Sequence, residues 1–288
     1  MVAPSGAVDE ERLRTGVALL ESWGLRVELG GAVLERKAYL AGADEAWRAD
    51  LQRMLDDPGV RAVFSARGGY GSQRLVPRLD LAALTRHPKP IVGYSDATAL
   101  LNAAVGAGVV AIHGPMVADD MARGLSPRAA AQLRTLLTDA TALWEVEVPV
   151  AIRRGRATGR LLGGCLSVIV TTLGTPYAPD TDGAILFLED VWERPYRLDR
   201  LLTQLRQAGK LQRLAGLVFG TLATCPPVDG VGPREVVEAC CADLAYPVGF
   251  GLPAGHDPGG ENLALPLGVE VALDTERGRL VALEPAVV

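Results

Sequence analysis

Apolar positions along the chain recur in two rhythms, a helical spacing of three to four residues and short unbroken runs, and the two alternate. From Asp9, a residue suited to cap a helix, Leu13, Val17 and Leu20 return at helical spacing until Gly24, and Leu25 to Leu29 then predict a strand. A second unit pairs a helix from Asp44 to Leu55, with Trp47, Leu51 and Leu55 on one face, with the apolar run Val60 to Phe64. A third pairs Leu81 to Arg86 with Ile91, Val92 and Gly93. Short apolar strands between helices predict an α/β layer with a parallel sheet, whose ligands gather beyond the carboxyl ends of the strands. From about Thr138 to Arg160 the pattern loosens around Pro149 and a basic cluster of Arg153, Arg154 and Arg156. Beyond it lie the strand Ala184 to Leu188, a helix opened by Pro195 with Leu198, Leu201, Leu202 and Leu205 on one face, and the strand Leu217 to Gly220. The tail from Val248 to Val288 is broken into short runs of Val, Leu, Gly and Pro and predicts strands. The expected division is an N-terminal α/β domain with a parallel sheet over 1–140, a crossing over 141–160, and a C-terminal mixed, β-rich domain over 161–288.

Length and composition agree with two domains that each bury a core: 288 residues, 49% of them apolar and 22% charged. The net charge of −5, with Arg scattered among acids, leaves no basic stripe for a phosphate backbone, so nucleic acid is not expected as a partner. The longest apolar stretch, Ala99 to Ile112, falls short of the roughly 18 residues of a membrane span and contains Gly. No membrane association is expected. The start, Met-Val-Ala-Pro-Ser-Gly, lacks the pattern of a secretory signal, and a cytoplasmic location is expected. Cys165, Cys225, Cys240 and Cys241 have neither disulfide-framework nor zinc spacing, so the expectation is reduced thiols and no metal or other cofactor.

Three strand ends carry unusual residues. Gly93-Tyr94-Ser95-Asp96-Ala97 joins an apolar run to a helical stretch, where a serine hydroxyl is exposed beside free backbone N–H groups and the positive end of the helix. Ser95 reads there either as a nucleophile or as a helix cap. Ala66-Arg67-Gly68-Gly69-Tyr70-Gly71 presents N–H groups to an oxyanion or is a plain tight turn; it has neither a dinucleotide fingerprint nor the lysine of a phosphate loop. At Leu188-Glu189-Asp190-Val191-Trp192-Glu193 the acids either meet a partner at a buried strand end or favour a helix dipole. Of the three histidines, His87 sits in a polar loop, His113 ends a strand on the Ser95 side as pocket lining or as a structural residue, and His256 lies in a Gly/Pro-rich loop. Serine, carboxylate and histidine on separate loops supply nucleophile, orienting group and general base. Spacing alone does not establish the triad.

Taken together, ARGGYG at 66–71, GYSD at 93–96, HGPM at 113–116, LED with ERPYRLDR between 188 and 200, and GHDPGGENLALPLG at 255–268 resemble the LD-carboxypeptidase family, the S66 serine peptidases. The order and spacing match from Val2 nearly to the C-terminus. The resemblance implies Ser95 as nucleophile, His256 as general base, Glu189 as its orienting carboxylate, and an oxyanion hole from the backbone N–H groups of Asp96 and Gly69. It also implies release of a terminal D-Ala from cytoplasmic muropeptide tetrapeptides in peptidoglycan recycling, and a homodimer. Arg67 is the candidate for the substrate's terminal carboxylate, with Tyr70, His113 and Trp192 as further substrate-binding candidates. The alternative within the same resemblance is a microcin-immunity-type peptidase cleaving peptidyl or aminoacyl adenylates, with Trp192 as a platform for the base. A non-catalytic binding module that keeps the fold is the rival of another class. Relatives carry a few more apolar residues before VAPSG, so the first strand is expected to be short.

Overall fold

The computed structural model describes residues 1–257 and 259–287; Pro258 of the histidine motif and Val288 of the expected C-terminal domain lie outside them. Helix α1 (Glu10–Ser22) starts where the Asp9 side chain accepts from the Arg12 N–H at 2.9 Å, and it buries Leu13 and Leu20. Helix α2 (Asp44–Asp56) buries Trp47, Leu51, Met54 and Leu55. Then follow β1 (Val63–Phe64), α3 (Ser72–Leu75), α4 (Ala82–Arg86), β2 (Ile91–Gly93), α5 (Thr98–Gly106), β3 (Ala111–His113) and α6 (Pro127–Thr138). Strands β1, β2 and β3 run parallel, as the alternation of helix and strand predicts. The strand expected at Leu25 to Leu29 does not form. Among the described residues its backbone is tied at the ends alone, by the Leu25 N–H donating to Leu20 O at 3.3 Å, the Met1 ammonium to Glu28 O at 2.5 Å and, just beyond, the Gly30 N–H to Met1 O at 2.8 Å, too few bonds for a ladder. Val2 makes one isolated parallel bridge to Ser65, so the short first strand is reduced to a single contact.

The rest of the chain builds a sheet of eight strands. They are β4 (Glu145–Glu147), β5 (Val150–Arg153), β6 (Arg156–Cys165), β7 (Ile185–Val191), β8 (Gly216–Ala223), β9 (Val248–Phe250), β11 (Glu270–Asp274) and β12 (Arg279–Ala282), in the order β4-β12-β11-β6-β7-β8-β9-β5. Its middle, β6 to β9, is parallel, and helices α7 (Leu166–Thr172), α8 (Pro195–Gln207) and α9 (Pro233–Cys240) fall between those strands. The stretch read as a crossing supplies β4, β5 and the first half of β6. Glu145 and Glu147 face solvent around buried Val146, and Arg156, Thr158 and Arg160 are exposed along β6, so the loosened pattern is the two-residue alternation of strands with one wet face.

One strand crosses over. β10 (Leu265–Leu267) pairs antiparallel with β3, Leu265 opposite His113, and closes the first sheet in the order β1-β2-β3-β10. The segment between β9 and β10 therefore leaves one sheet and enters the other, and it carries His256. Among the described residues no helix is long and apolar enough to cross a membrane.

Candidate active site

Ser95 follows β2 on a sharp turn: Tyr94 is fully extended, Ser95 takes φ +60°, and a single 3-10 turn over Ser95–Ala97 runs into α5. A side-chain-bearing residue in the left-handed region is uncommon and costs on the order of 1 kcal/mol, and it projects the hydroxyl out of the turn. Small neighbours make room for it. A Cβ on Gly93 would lie 2.8 Å from Ser65 Oγ and 3.1 Å from the Ala97 methyl, and one on Gly68 would lie 3.0 Å from Ser95 Oγ. The glycine turn thus touches the serine. Gly69 takes φ +125°, and among the described residues its N–H has no hydrogen-bond partner; the Asp96 N–H likewise donates to no loop carbonyl or side chain. The Asp96 carboxylate is occupied elsewhere, accepting from Ser5 Oγ at 2.5 Å and from the Ser72 N–H at 2.8 Å, which locks three loops together beneath Ser95.

The histidine and the carboxylate meet from separate segments. Glu189, wholly buried on β7, accepts from His256 Nδ1 at 2.7 Å and from the His256 backbone N–H at 2.9 Å, both on Oε2. This approach requires glycine at 255. Its φ is +113°, and a Cβ there would lie 2.5 Å from Glu189 Oε2. Thr221 Oγ1 donates toward Ala254 O and His256 O, and Asn262 Oδ1 accepts from the Gly255 N–H at 2.9 Å, so the loop is held on both sides. Burial alone would lower the His256 pKa, but the Glu189 charge and hydrogen bond outweigh it and hold the imidazole above its ordinary value. Burial would raise Glu189, and His256 reverses this, keeping the carboxylate below its usual range.

The Tyr94 ring packs edge-on against His256, with centroids 4.8 Å apart, which brings the residue beside Ser95 onto the imidazole. Among the described residues Ser95 Oγ and His256 Nε2 each make no hydrogen bond, and the two residues are linked through Tyr94, which precedes the one and packs on the other. His113 is not a lining residue. It has no exposed surface, its ring lies against Phe187 at 4.9 Å and Tyr94 at 5.7 Å, and burial pushes its pKa down to about 4, so it is a neutral group beneath the site. Arg67 donates to Ala7 O at 2.9 Å, and among the described residues its other guanidinium donors make no hydrogen bond. Tyr70 and Trp192 are exposed, Trp192 by 74% and with φ +58°.

Two further buried acids shape the site: Asp120, which sequence reasoning missed, and Asp190, which it placed among the acids at a strand end without a catalytic role. Asp120 accepts from the Met116 N–H at 3.0 Å, from Tyr94 Oη and from Arg123, and so fixes the tyrosine that touches His256. Asp190, next to Glu189, accepts from the Ser167 and Val191 N–H groups, and burial pushes its pKa up to about 6. Asp120 leaves no signal in the sequence, because the tyrosine it fixes is distant in the chain. No group of three or more His, Cys, Asp or Glu side chains converges as a metal site among the described residues.

An α/β protein of two sheets, with a histidine-carboxylate pair packed on the residue before a serine on a strained strand-to-helix turn, has the layout of a hydrolase. Comparison with known proteins gives the family. Residues 1–114 match the LD-carboxypeptidase N-terminal domain and residues 158–273 the LD-carboxypeptidase C-terminal domain. The murein tetrapeptide carboxypeptidase of Pseudomonas aeruginosa is 35% identical, over 97% of this chain and 94% of that one. The crystal structure of muramoyltetrapeptide carboxypeptidase from Oxalobacter formigenes superposes with a TM-score of 0.89 at 30% identity, covering 99% of this chain and 98% of that one. The microcin C7 self-immunity protein MccF in complex with aspartyl sulfamoyl adenosine has a TM-score of 0.84 at 22% identity, covering 100% and 99%, a likeness of fold. The chain belongs to the LD-carboxypeptidase family, the S66 peptidases, and is an enzyme of the serine-type carboxypeptidase class.

Proposed function

We propose that this enzyme removes the terminal D-amino acid from murein tetrapeptides, with Ser95 as nucleophile, His256 as general base and Glu189 as the carboxylate that orients it. The observation that carries the reading is the 2.7 Å bond between His256 Nδ1 and buried Glu189 Oε2, which leaves Nε2 as the basic nitrogen on a ring already in contact with the residue preceding Ser95. His256 Nε2 takes the Ser95 proton as Oγ attacks the carbonyl carbon of the L,D-amide. The C–N bond then breaks, the imidazolium gives its proton to the departing amine, and the D-amino acid leaves. A water, deprotonated by His256, attacks the acyl ester and releases Ser95 and the shortened peptide. The N–H groups of Asp96 and Gly69, one on the serine turn and one on the glycine turn that touches it, are the oxyanion donors in this reading. Each such donor is worth roughly a hundredfold or more in turnover. Arg67, with guanidinium donors to spare, would pair with the substrate's terminal carboxylate.

The names of the relatives support the murein peptide as substrate. A recycling role places the enzyme in the cytoplasm, and the homodimer implied by the sequence resemblance is checked by light scattering. A second reading, cleavage of aminoacyl or peptidyl adenylates, is favoured by the likeness to MccF and by Trp192, an aromatic surface held out on a left-handed backbone. Mass spectrometry of wild type and Ser95→Ala with a free tetrapeptide ending in D-Ala decides between them. Loss of one D-Ala by wild type alone is expected, with Ser95→Ala folded and inactive. Turnover of an aminoacyl-adenylate analogue in place of the peptide moves the enzyme to the second reading, and near-normal turnover by Ser95→Ala removes the mechanism.

A further inference from the structure

Two exposed tyrosines stand together at the rim of the glycine turn. Tyr70 follows Gly69 directly and is 49% exposed; Tyr39, from a segment that sequence reasoning passed over, is 67% exposed, and the ring centroids are 6.1 Å apart with planes at 55°. Tyr39 comes from a tight reversal in which the Lys37 N–H donates to Leu40 O at 2.9 Å, the Leu40 N–H donates to Lys37 O at 3.0 Å, and Ala38 takes φ +54°. Left-handed backbone at an alanine is strained and persists only where the surroundings hold it. Here they do. The Ala41 N–H donates to Ser5 O at 3.0 Å, Leu40 bridges to Gly6, and Ser5 Oγ donates to the carboxylate of Asp96, the residue after Ser95. The aromatic pair is therefore pinned, bond by bond, to the serine turn. Arg74, paired with Asp44, lies within electrostatic range of both phenols.

We propose that Tyr39 and Tyr70 form a stacking shelf for the pyranose ring of the amino sugar at the distal end of the peptide, a subsite that rests on the murein-peptide reading. Reach supports it. The three residues on the acyl side of the scissile bond span about 10 Å when extended. A Cβ on Gly68 would lie 3.0 Å from Ser95 Oγ, Tyr70 follows two residues along the chain, and the Tyr39 ring centroid is 6.1 Å from that of Tyr70. Chemistry supports it as well: a sugar presents an apolar C–H face with polar hydroxyls around its edge, and an aromatic face edged by phenol hydroxyls offers the complement.

The test compares kcat/KM for an N-acetylmuramoyl tetrapeptide and for the same tetrapeptide without sugar, in wild type, Tyr39→Ala and Tyr39→Phe. Wild type is expected to prefer the sugar-bearing substrate. Tyr39→Ala should cut that preference about three- to tenfold, through KM, and Tyr39→Phe should restore it. The same preference in folded Tyr39→Ala as in wild type overturns the shelf, as does a wild type that cleaves both substrates equally well; in either case the murein reading stands. A wild type that cleaves neither peptide ends both. If instead Tyr39→Ala weakens only AMP binding, measured on the Ser95→Ala background, the occupant is a nucleobase and the sugar assignment falls.

Discussion

Glu189 sets the basicity of His256 against burial, and this opposition has a measurable sign. In wild type the carboxylate wins and the imidazole pKa lies above 6.5, so kcat/KM should rise with pH through a midpoint above that value as the base loses its proton. Glu189→Gln keeps the shape and removes the charge. The main opposition to burial is then gone, with only Asp190 and Asp120 still favouring the charged ring, and the midpoint should move below that of wild type while kcat falls about 100- to 10,000-fold. A pH-rate profile of the two proteins checks this; a midpoint that stays in place would show that Glu189 is not the partner of the titrating base. Ser95 and His256 stood out in the sequence because each follows an apolar run in a loop with its own motif, and Glu189 because it is an acid at the end of an apolar strand. The burial of His113 was not, since Ile-His-Gly-Pro reads the same whether the strand end is covered or open. Nor was Tyr39, which stands in a polar stretch without periodicity and gains meaning only from the ring beside it.

Among the elements, parallel strands gave the plainest signal and half-exposed antiparallel ones the weakest. β2 and β7 are buried along nearly their whole length and read as apolar runs, whereas β4 and the first half of β6 alternate Arg, Glu and Thr with buried positions and resemble a linker. Leu25 to Leu29 failed for the opposite reason: its residues suit a strand, but the neighbouring backbone offers too few partners. The loop between β9 and β10 is shaped by its glycines as much as by its histidine. Gly255→Ala would force a methyl to within 2.5 Å of Glu189 Oε2 at a backbone φ that disfavours any side chain. Its expected effect is loss of about 1 to 3 kcal/mol of stability together with most of the activity, read by denaturant unfolding and by D-Ala release. Wild-type stability and turnover in that variant would mean that the loop has another resting position.

At the scale of the whole molecule, the division into two halves visible in the sequence is interrupted by β10, a strand of three residues that the tail's short apolar runs announce only as a strand, without its destination. Its pairing with β3 means that residues 1–140 by themselves leave a buried sheet edge unpaired and the apolar side chains of β3 partly uncovered. Expressed alone, that fragment should be aggregated or molten, with far-UV dichroism retained and near-UV dichroism lost; a monomeric fragment with native-like amide protection in β3 would contradict this. Leu265 opposite His113 also couples assembly of the first sheet to delivery of His256, because both come from one loop that spans the two sheets.

That crossing strand imposes a schedule on synthesis. The edge of β3 leaves the ribosome roughly 150 residues before its partner does, an interval of about 8 to 30 s at ordinary translation speeds, during which an apolar strand edge is open to other nascent chains. Ser95 and its turn emerge early, but the proposed base, His256, arrives only with the same late segment that seals the sheet. A growing chain that has reached Ser95 but not His256 therefore lacks the proposed base, and under that proposal hydrolysis waits for the segment that carries residue 256.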